Sequence, residues 1–361
     1  MLRNSTIPYK DYRLPENRRE HFMDLYEFQL HNRSHPGGVY FIMPYLAYEF
    51  GWDMEDKLWF AFLNGNTQNP VTSLTIMREF PKLPASQEEL ELMQEWFNSM
   101  WSKLEFDIDR RYQKKDLIKS IQRYKSLAEE YGSQHSLLTG TFKDLWKRVR
   151  TQFYTFGRLS AFSYLEYVRI MGAGDACDTL FLRDLSGSKS HRNGLCKLLG
   201  HDELDWHDSN PLGFAGKYTE EQFRWLEHEG EVLLQESKER FAEKPYFRDV
   251  GYFTIESTLC TFKSHYRENR RYPGVYMDMM YNRIKRAEHF RPEEDFSIFW
   301  QCRQDCLPKY LRLEDNPDDP GEVPIKQNHF RETGQVPVLG KMFPGKYYDD
   351  GRWRAGRKEK Y

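Results

Sequence analysis

Long hydrophobic runs are missing from this chain. None of its segments holds roughly eighteen uninterrupted apolar residues, and the opening MLRNSTIPYKDYRLPENRREHF has no apolar core. Neither a membrane span nor a secretory signal peptide is expected. Cysteine is sparse: Cys177, Cys196, Cys260, Cys302 and Cys306 are five in number and scattered. An odd, irregular set argues against a disulfide framework and for a reducing compartment. Cys302 and Cys306 sit one helical turn apart but lack a second Cys/His pair nearby, so zinc is not expected there. Charge of one sign is also lacking, since the formal net charge is −2. No global field draws the chain to nucleic acid or membrane, and a polyanion must be held by a local patch. There is no G-x-x-x-x-G-K-[ST] loop, which speaks against nucleoside-triphosphate hydrolysis, and there is no internal repeat or low-complexity tract.

What is present is a core and helical periodicity. Aromatics make up 16% and charged residues 30% of 361 residues, a composition of folded, well-solvated protein. Ser86-Gln-Glu-Glu89 reads as a capping box, followed by Leu90, Met93, Phe97, Met100 and Leu104 at helical spacing. Thr219-Glu-Glu-Gln222 is a second box, opening a helix with Phe223, Leu226 and Leu233 inward. Residues 141–170 read as one long helix bent at Gly157. Ile255, Leu259, Phe262 and Tyr266 mark another, and 276–288 and 293–306 complete the set. Alternating patterns are scarce, and GGVYFIMPY at 37–45 is the best strand candidate. The expected class is mainly α, a helical core with little or no sheet and an irregular C-terminal tail. The expected segments are an N-terminal helical region over 1–135, a helical core over 136–310 and the tail over 311–361, where Pro, Gly and charge accumulate.

The densest chemistry lies at GSKSHRNGLC, 187–196. Between Gly187 and Gly194 stand Ser188, Lys189, Ser190, His191, Arg192 and Asn193, with no acid among them. Glycine lets backbone N–H groups approach a ligand, lysine and arginine add charge, and GLCKLLG at 194–200 reads as a short helix whose N-terminus follows the loop. The set suits phosphate or pyrophosphate; a polar loop capping a helix fits as well. Next comes HDELDWHDSNP, 201–211, where Asp202, Asp205, His207 and Asp208 crowd together. A carboxylate beside an imidazole tunes it for proton transfer, and Asp and His can hold Mg²⁺ carrying a pyrophosphate; solvated acids at a helix end are the commoner arrangement. Lys143, Lys147, Arg148, Arg150 and Arg158 are interleaved with Trp146, Tyr154 and Tyr164, a mixture suited to a DNA backbone and an unstacked base. RENRRYPGVYMDMMYNRIKR at 267–286, with Arg270 and Arg271, resembles it, although most such runs are solvated faces. In FLNGNTQNP at 62–70, Asn66 and Gln68 are placed either to read a base edge or to make turns.

The runs DLSGSKSHRNGLCKLLGHDELDWHDSN (184–210), FGRLSAFSYLEYV (156–168) and NRRYPGVYMD (269–278) resemble the bacteriophage alpha-glutamyl/putrescinyl thymine pyrophosphorylase group, regarded in part as amino acid:DNA transferases. The module is also similar to the helical domain attached to 5-hydroxymethyluracil DNA kinases. The resemblance is strongest over roughly 140–280 and rests chiefly on S-x-S-H-R-N-G-L. It implies thymine hypermodification in double-stranded DNA inside the infected bacterial host's cytoplasm, with no membrane involved. A partner kinase forms the pyrophosphorylated ester of 5-hydroxymethyluracil, and the transferase replaces pyrophosphate with the amine of a small amino acid such as glycine. Kinase motifs are absent here, so the chain is expected to be the second enzyme.

On that footing Ser188, Lys189, Ser190, Arg192 and Asn193 would take the pyrophosphate, with or without Mg²⁺ and with no other cofactor expected. His191, or Asp205 with His207, would take the amine's proton. Arg158 would hold the amino-acid carboxylate. Lys147, Arg148, Arg270 and Arg271 would hold DNA, and Asn66, Gln68 and Tyr154 the flipped base. Cys196 would add transiently to the pyrimidine, unless it is simply a small core residue. A non-catalytic binder of modified DNA and a glycosylase-like enzyme are the competing functions.

Overall fold

The computed structural model describes residues 10–184, 189–205, 218–266, 278–307, 312 and 334. These hold fourteen α-helices and no strand, so the mainly α expectation is met. In chain order the helices are α1 (Pro15–Asn32), α2 (Val39–Glu49), α3 (Met54–Thr67), α4 (Pro70–Glu79), α5 (Gln87–Ser99), α6 (Leu117–Tyr131) and α7 (Gln134–Leu137). Then follow α8 (Phe142–Gln152), α9 (Arg158–Ile170), α10 (Ser190–Leu198), α11 (Glu220–Phe241), α12 (Tyr252–Phe262), α13 (Met279–Phe290) and α14 (Ser297–Cys306).

Local sequence sets many of the boundaries. Asp53, Asn69, Ser86, Thr141 and Thr219 each cap a helix by accepting from backbone N–H groups two or three residues on. The Thr219–Gln222 box closes in both directions. The Ser86 box closes in one: Ser86 accepts from the Glu89 N–H, but the Glu89 carboxylate accepts from the N–H of Ala85.

Four expectations are corrected. Residues 37–45 do not form a strand; Gly37 and Gly38 make a left-handed turn (φ 87° and 69°) into α2. Val39, Tyr40, Phe41, Ile42 and Met43 are all buried, and an apolar run closed in on every side has no periodicity with which to separate strand from helix. The 141–170 helix is two helices: the chain breaks over 153–157, with Thr155 at φ 61°, and Gly157 is the extended N-cap of α9. Residues 62–70 are not a polar loop. They are the buried end of α3 and the start of α4, joined through Gln68 in the left-handed region (φ 54°) and the Asn69 cap. Finally, α10 begins at Ser190, so His191, Arg192 and Asn193 are helical and Gly194 lies mid-helix.

The chain divides into two compact units, neither contiguous in sequence. The first comprises residues 1–38, 179–279 and 303–361; the second comprises 39–178 and 280–302. In the first, α1, α10 and α12 pack on one another around Phe22, Leu25, Leu195, Ile255, Leu259 and Phe262. The C-terminal tail lies outside the described residues except at Arg312 and Gly334, whose carbonyl accepts from the Tyr12 N–H at 3.0 Å. In the second unit α3 packs along α9. Its centre is aromatic: Phe62 stacks on Tyr124 with ring centroids 3.8 Å apart, and Phe153, Phe156 and Tyr164 close around them.

Candidate active site

In the first unit the donor-rich segment is half helix. Lys189 and Ser190 are half-buried, while His191, Arg192 and Asn193 point into the protein and are at most 2% exposed. Gly194 explains this depth. A Cβ built there would stand 2.1 Å from the carbonyl oxygen of Leu259, so α10 and α12 cross with their backbones nearly touching. The turn that precedes Gly194 is thereby carried inward. Gly187 and Ser188 lie outside the described residues.

Arg192 is fully buried. Its Nη1 donates to the carbonyls of Leu182 at 2.9 Å and Asp184 at 3.5 Å, and its guanidinium carbon lies 5.1 Å from the centroid of the Tyr218 ring. Its Nε and Nη2 have no hydrogen-bond partner among the described residues. A buried donor left unmet costs about 1–3 kcal/mol. A guanidinium with two such donors is a strong seat for an anion, whose oxygens pair with it in a fork.

Asp202 and Asp205 are engaged with cations of the same unit. Arg18 grips Asp202 through two bonds of 2.8 and 3.1 Å. Lys197 Nζ lies 3.0 Å from Asp202 and 3.5 Å from Asp205. Burial pushes the Asp202 carboxyl up, but hydrogen bonds from Arg18 and Lys197 outweigh it and hold the group below its ordinary range. Carboxylates already neutralised in this way do not fit a Mg²⁺ site. His207 and Asp208 lie outside the described residues. Cys196 is wholly buried, its Sγ 3.9 Å from the Tyr218 hydroxyl, and burial pushes the thiol up to about 12. Nucleophilic addition needs a thiolate, so the structure gives Cys196 the role of a core side chain.

The remaining expected residues belong to the second unit, apart from Arg270 and Arg271, which lie outside the described residues. Asn66 is engaged internally: its amide nitrogen donates to Phe62 O at 3.0 Å, and its oxygen accepts from Arg110 Nη2 at 2.8 Å. Gln68 accepts from the Tyr167 hydroxyl at 2.9 Å, and its backbone carbonyl accepts from Arg283 at 3.0 Å. Both are 3% exposed or less and brace the α3–α4 junction, which does not suit reading a base edge. Tyr154 is exposed, as a stacking platform requires. Arg158, first residue of α9, is buried. On α8, Phe142, Leu145 and Val149 face inward, leaving Lys143, Lys147 and Arg150 outward. Arg148 is half-buried, bonded to the carbonyls of Leu137 and Thr139 and lying over the Tyr131 ring; it holds the fold.

Sequence reading missed two groups. Arg110, itself buried, bonds Asn66, Thr155 and Ser160, and nothing local marks it. Glu256 and Cys260 on α12 stand beside His191. Their i, i+4 spacing was visible, but their convergence on α10 was not.

A sequence profile of the family described as amino acid:DNA transferase matches residues 42–271. A protein of Salmonella phage ViI, named as a serinyltransferase, is 30% identical over 302 residues, spanning 79% of this chain and 72% of its own length. No solved structure matches.

Proposed function

Because this chain belongs to the amino acid:DNA transferase family, we propose that it displaces pyrophosphate from 5-(pyrophosphoryloxymethyl)uracil in DNA with the amine of a small amino acid. The amine nitrogen forms a bond to the C5 methylene carbon. The C–O bond breaks, and its electron pair leaves on pyrophosphate. Arg192 carries this assignment, because its buried guanidinium keeps two donors without a partner among the described residues. Lys189, Ser190 and Asn193, with Ser188, complete the anion seat. Charge that develops on the departing oxygen is stabilised there in the transition state.

The attacking ammonium must shed a proton. Asp205 with His207 takes it in this proposal. Lys147, Arg270 and Arg271 hold DNA, and the target base is flipped out of the stack at a cost of a few kcal/mol. The phage relative's name makes serine a candidate beside glycine. The substrate ester is supplied by a DNA kinase in the infected cell's cytoplasm. Among the described residues no helix is long and apolar enough to cross a membrane.

The test incubates the protein with pyrophosphorylated 5-hydroxymethyluracil DNA and glycine or serine, with and without Mg²⁺. Nucleosides are then analysed by mass spectrometry and released pyrophosphate is measured. An aminoacyl-thymidine formed one-for-one with pyrophosphate is expected. Tight DNA binding with no product would identify a binder, and abasic DNA a glycosylase; either overturns the proposal.

A further inference from the structure

We propose that His191, Glu256 and Cys260 form a binding site for a borderline-soft divalent metal ion, Zn²⁺ above all. Glu256 and Cys260 are four residues apart on α12 and share the face turned to α10; His191 is in the first turn of α10. One atom from each residue, an imidazole nitrogen, a carboxylate oxygen and the thiol sulfur, lies within 4.8 Å of the other two. Zinc bonds of about 2.0–2.3 Å set tetrahedral ligands somewhat closer than that, so side-chain adjustment alone closes the site. The near-contact of Gly194 with the Leu259 carbonyl places the two helices at this spacing.

His191 supplies an independent sign. It is 1% exposed, and neither ring nitrogen makes a hydrogen bond among the described residues. Nδ1 lies only 3.1 Å from Glu256 Oε1, yet without hydrogen-bond alignment. A buried imidazole that makes no hydrogen bond and lies at ion-pair distance from a carboxylate is placed to share a cation with it. A mixed N, O and S donor set disfavours Mg²⁺ and Ca²⁺, which take oxygen, and suits zinc. Three protein ligands leave a fourth position for an exogenous ligand. The site is distinct from the Arg192 anion seat and does not depend on the transfer chemistry proposed above.

The experiment strips the full-length protein with a chelator and titrates it with Zn²⁺ and with Co²⁺, reading metal content, visible absorption and melting temperature. About one equivalent of zinc should bind, with a rise in melting temperature. Co²⁺ should give tetrahedral d–d bands and a thiolate charge-transfer band. Cys260→Ser should lose the charge-transfer band and weaken binding by roughly tenfold or more, while Cys306→Ser keeps both. Glu256→Gln, with helical circular dichroism as the folding check, should weaken binding while keeping the thiolate band. Absence of binding by wild-type protein would overturn the proposal and leave a His191–Glu256 pair without metal. Binding unchanged in both Cys260→Ser and Glu256→Gln would overturn it as well.

Discussion

The two units keep polar groups inside by different chemistry. The second unit buries arginines. Arg110 and Arg283 are at most 3% exposed and are met by Asn66, Gln68, Thr155, Ser160 and Asp107. Burial lowers Arg110 only to about 10, so it is charged throughout the working range. The first unit buries arginines too, Arg192 and Arg303 among them, but it adds histidines. His21, His35 and His265 are internal, and His21 and His265 meet edge to face at 4.7 Å. Burial pushes His35 and His265 down to about 3, and His21 well below its ordinary value. An arginine interior is indifferent to pH; an imidazole interior is folded only while it is neutral.

The largest expected effect therefore comes from acid. Below pH 6.5 the unfolded chain takes up protons that the folded imidazoles refuse until about pH 3. Stability falls through that window, by roughly 1.4 kcal/mol per pH unit for each such histidine. Hydrogen exchange at stepped pH should show the first unit losing protection before the second. Simultaneous loss would erase the contrast.

Glycine sharpens it next. Gly194→Ala drives a methyl group into the Leu259 carbonyl, and backbone yields less readily than a side chain. A loss of about 3 kcal/mol or more is expected in denaturant unfolding. Gly157→Ala, with open space around its Cβ position, should cost less than about 1 kcal/mol.

A third pair separates fold from function. Arg110→Met strands the groups that the guanidinium bonds, and should destabilise the protein by about 3 kcal/mol. Arg192→Met should instead lower turnover by the equivalent of roughly 2–4 kcal/mol, more than it lowers the melting temperature. A variant at 192 that melts early yet turns over normally would make this arginine structural, like Arg110. The smallest effect belongs to α8. Lys147→Ala should weaken duplex binding evenly across sequences and reduce the salt slope by about one. Arg148→Ala should act on stability, because its donors already serve the Leu137 and Thr139 carbonyls.

Local physics was legible from the chain alone. Helical periodicity, the Thr219–Gln222 box and the acid-free run at 188–193 each depend on neighbours within a turn or two. The helix starts they announce are found in the structure, with α10 opening four residues before its predicted start. Residues 37–45 resisted because burial on all sides hides the periodicity. Asn66 and Gln68 resisted because the same amides serve a loop, a base edge or an internal network, and Arg110, 44 residues from Asn66, and Tyr167, 99 residues from Gln68, decide which. Mainly α architecture, the lack of a long apolar span and a donor-rich segment are thus properties of the sequence itself. Tertiary structure alone decided that Arg192 faces inward with donors to offer, that Cys196 is protonated core, and that Glu256 and Cys260 meet His191. Those outcomes follow from which backbones touch at Gly194, a contact between residues 65 positions apart that no local pattern encodes.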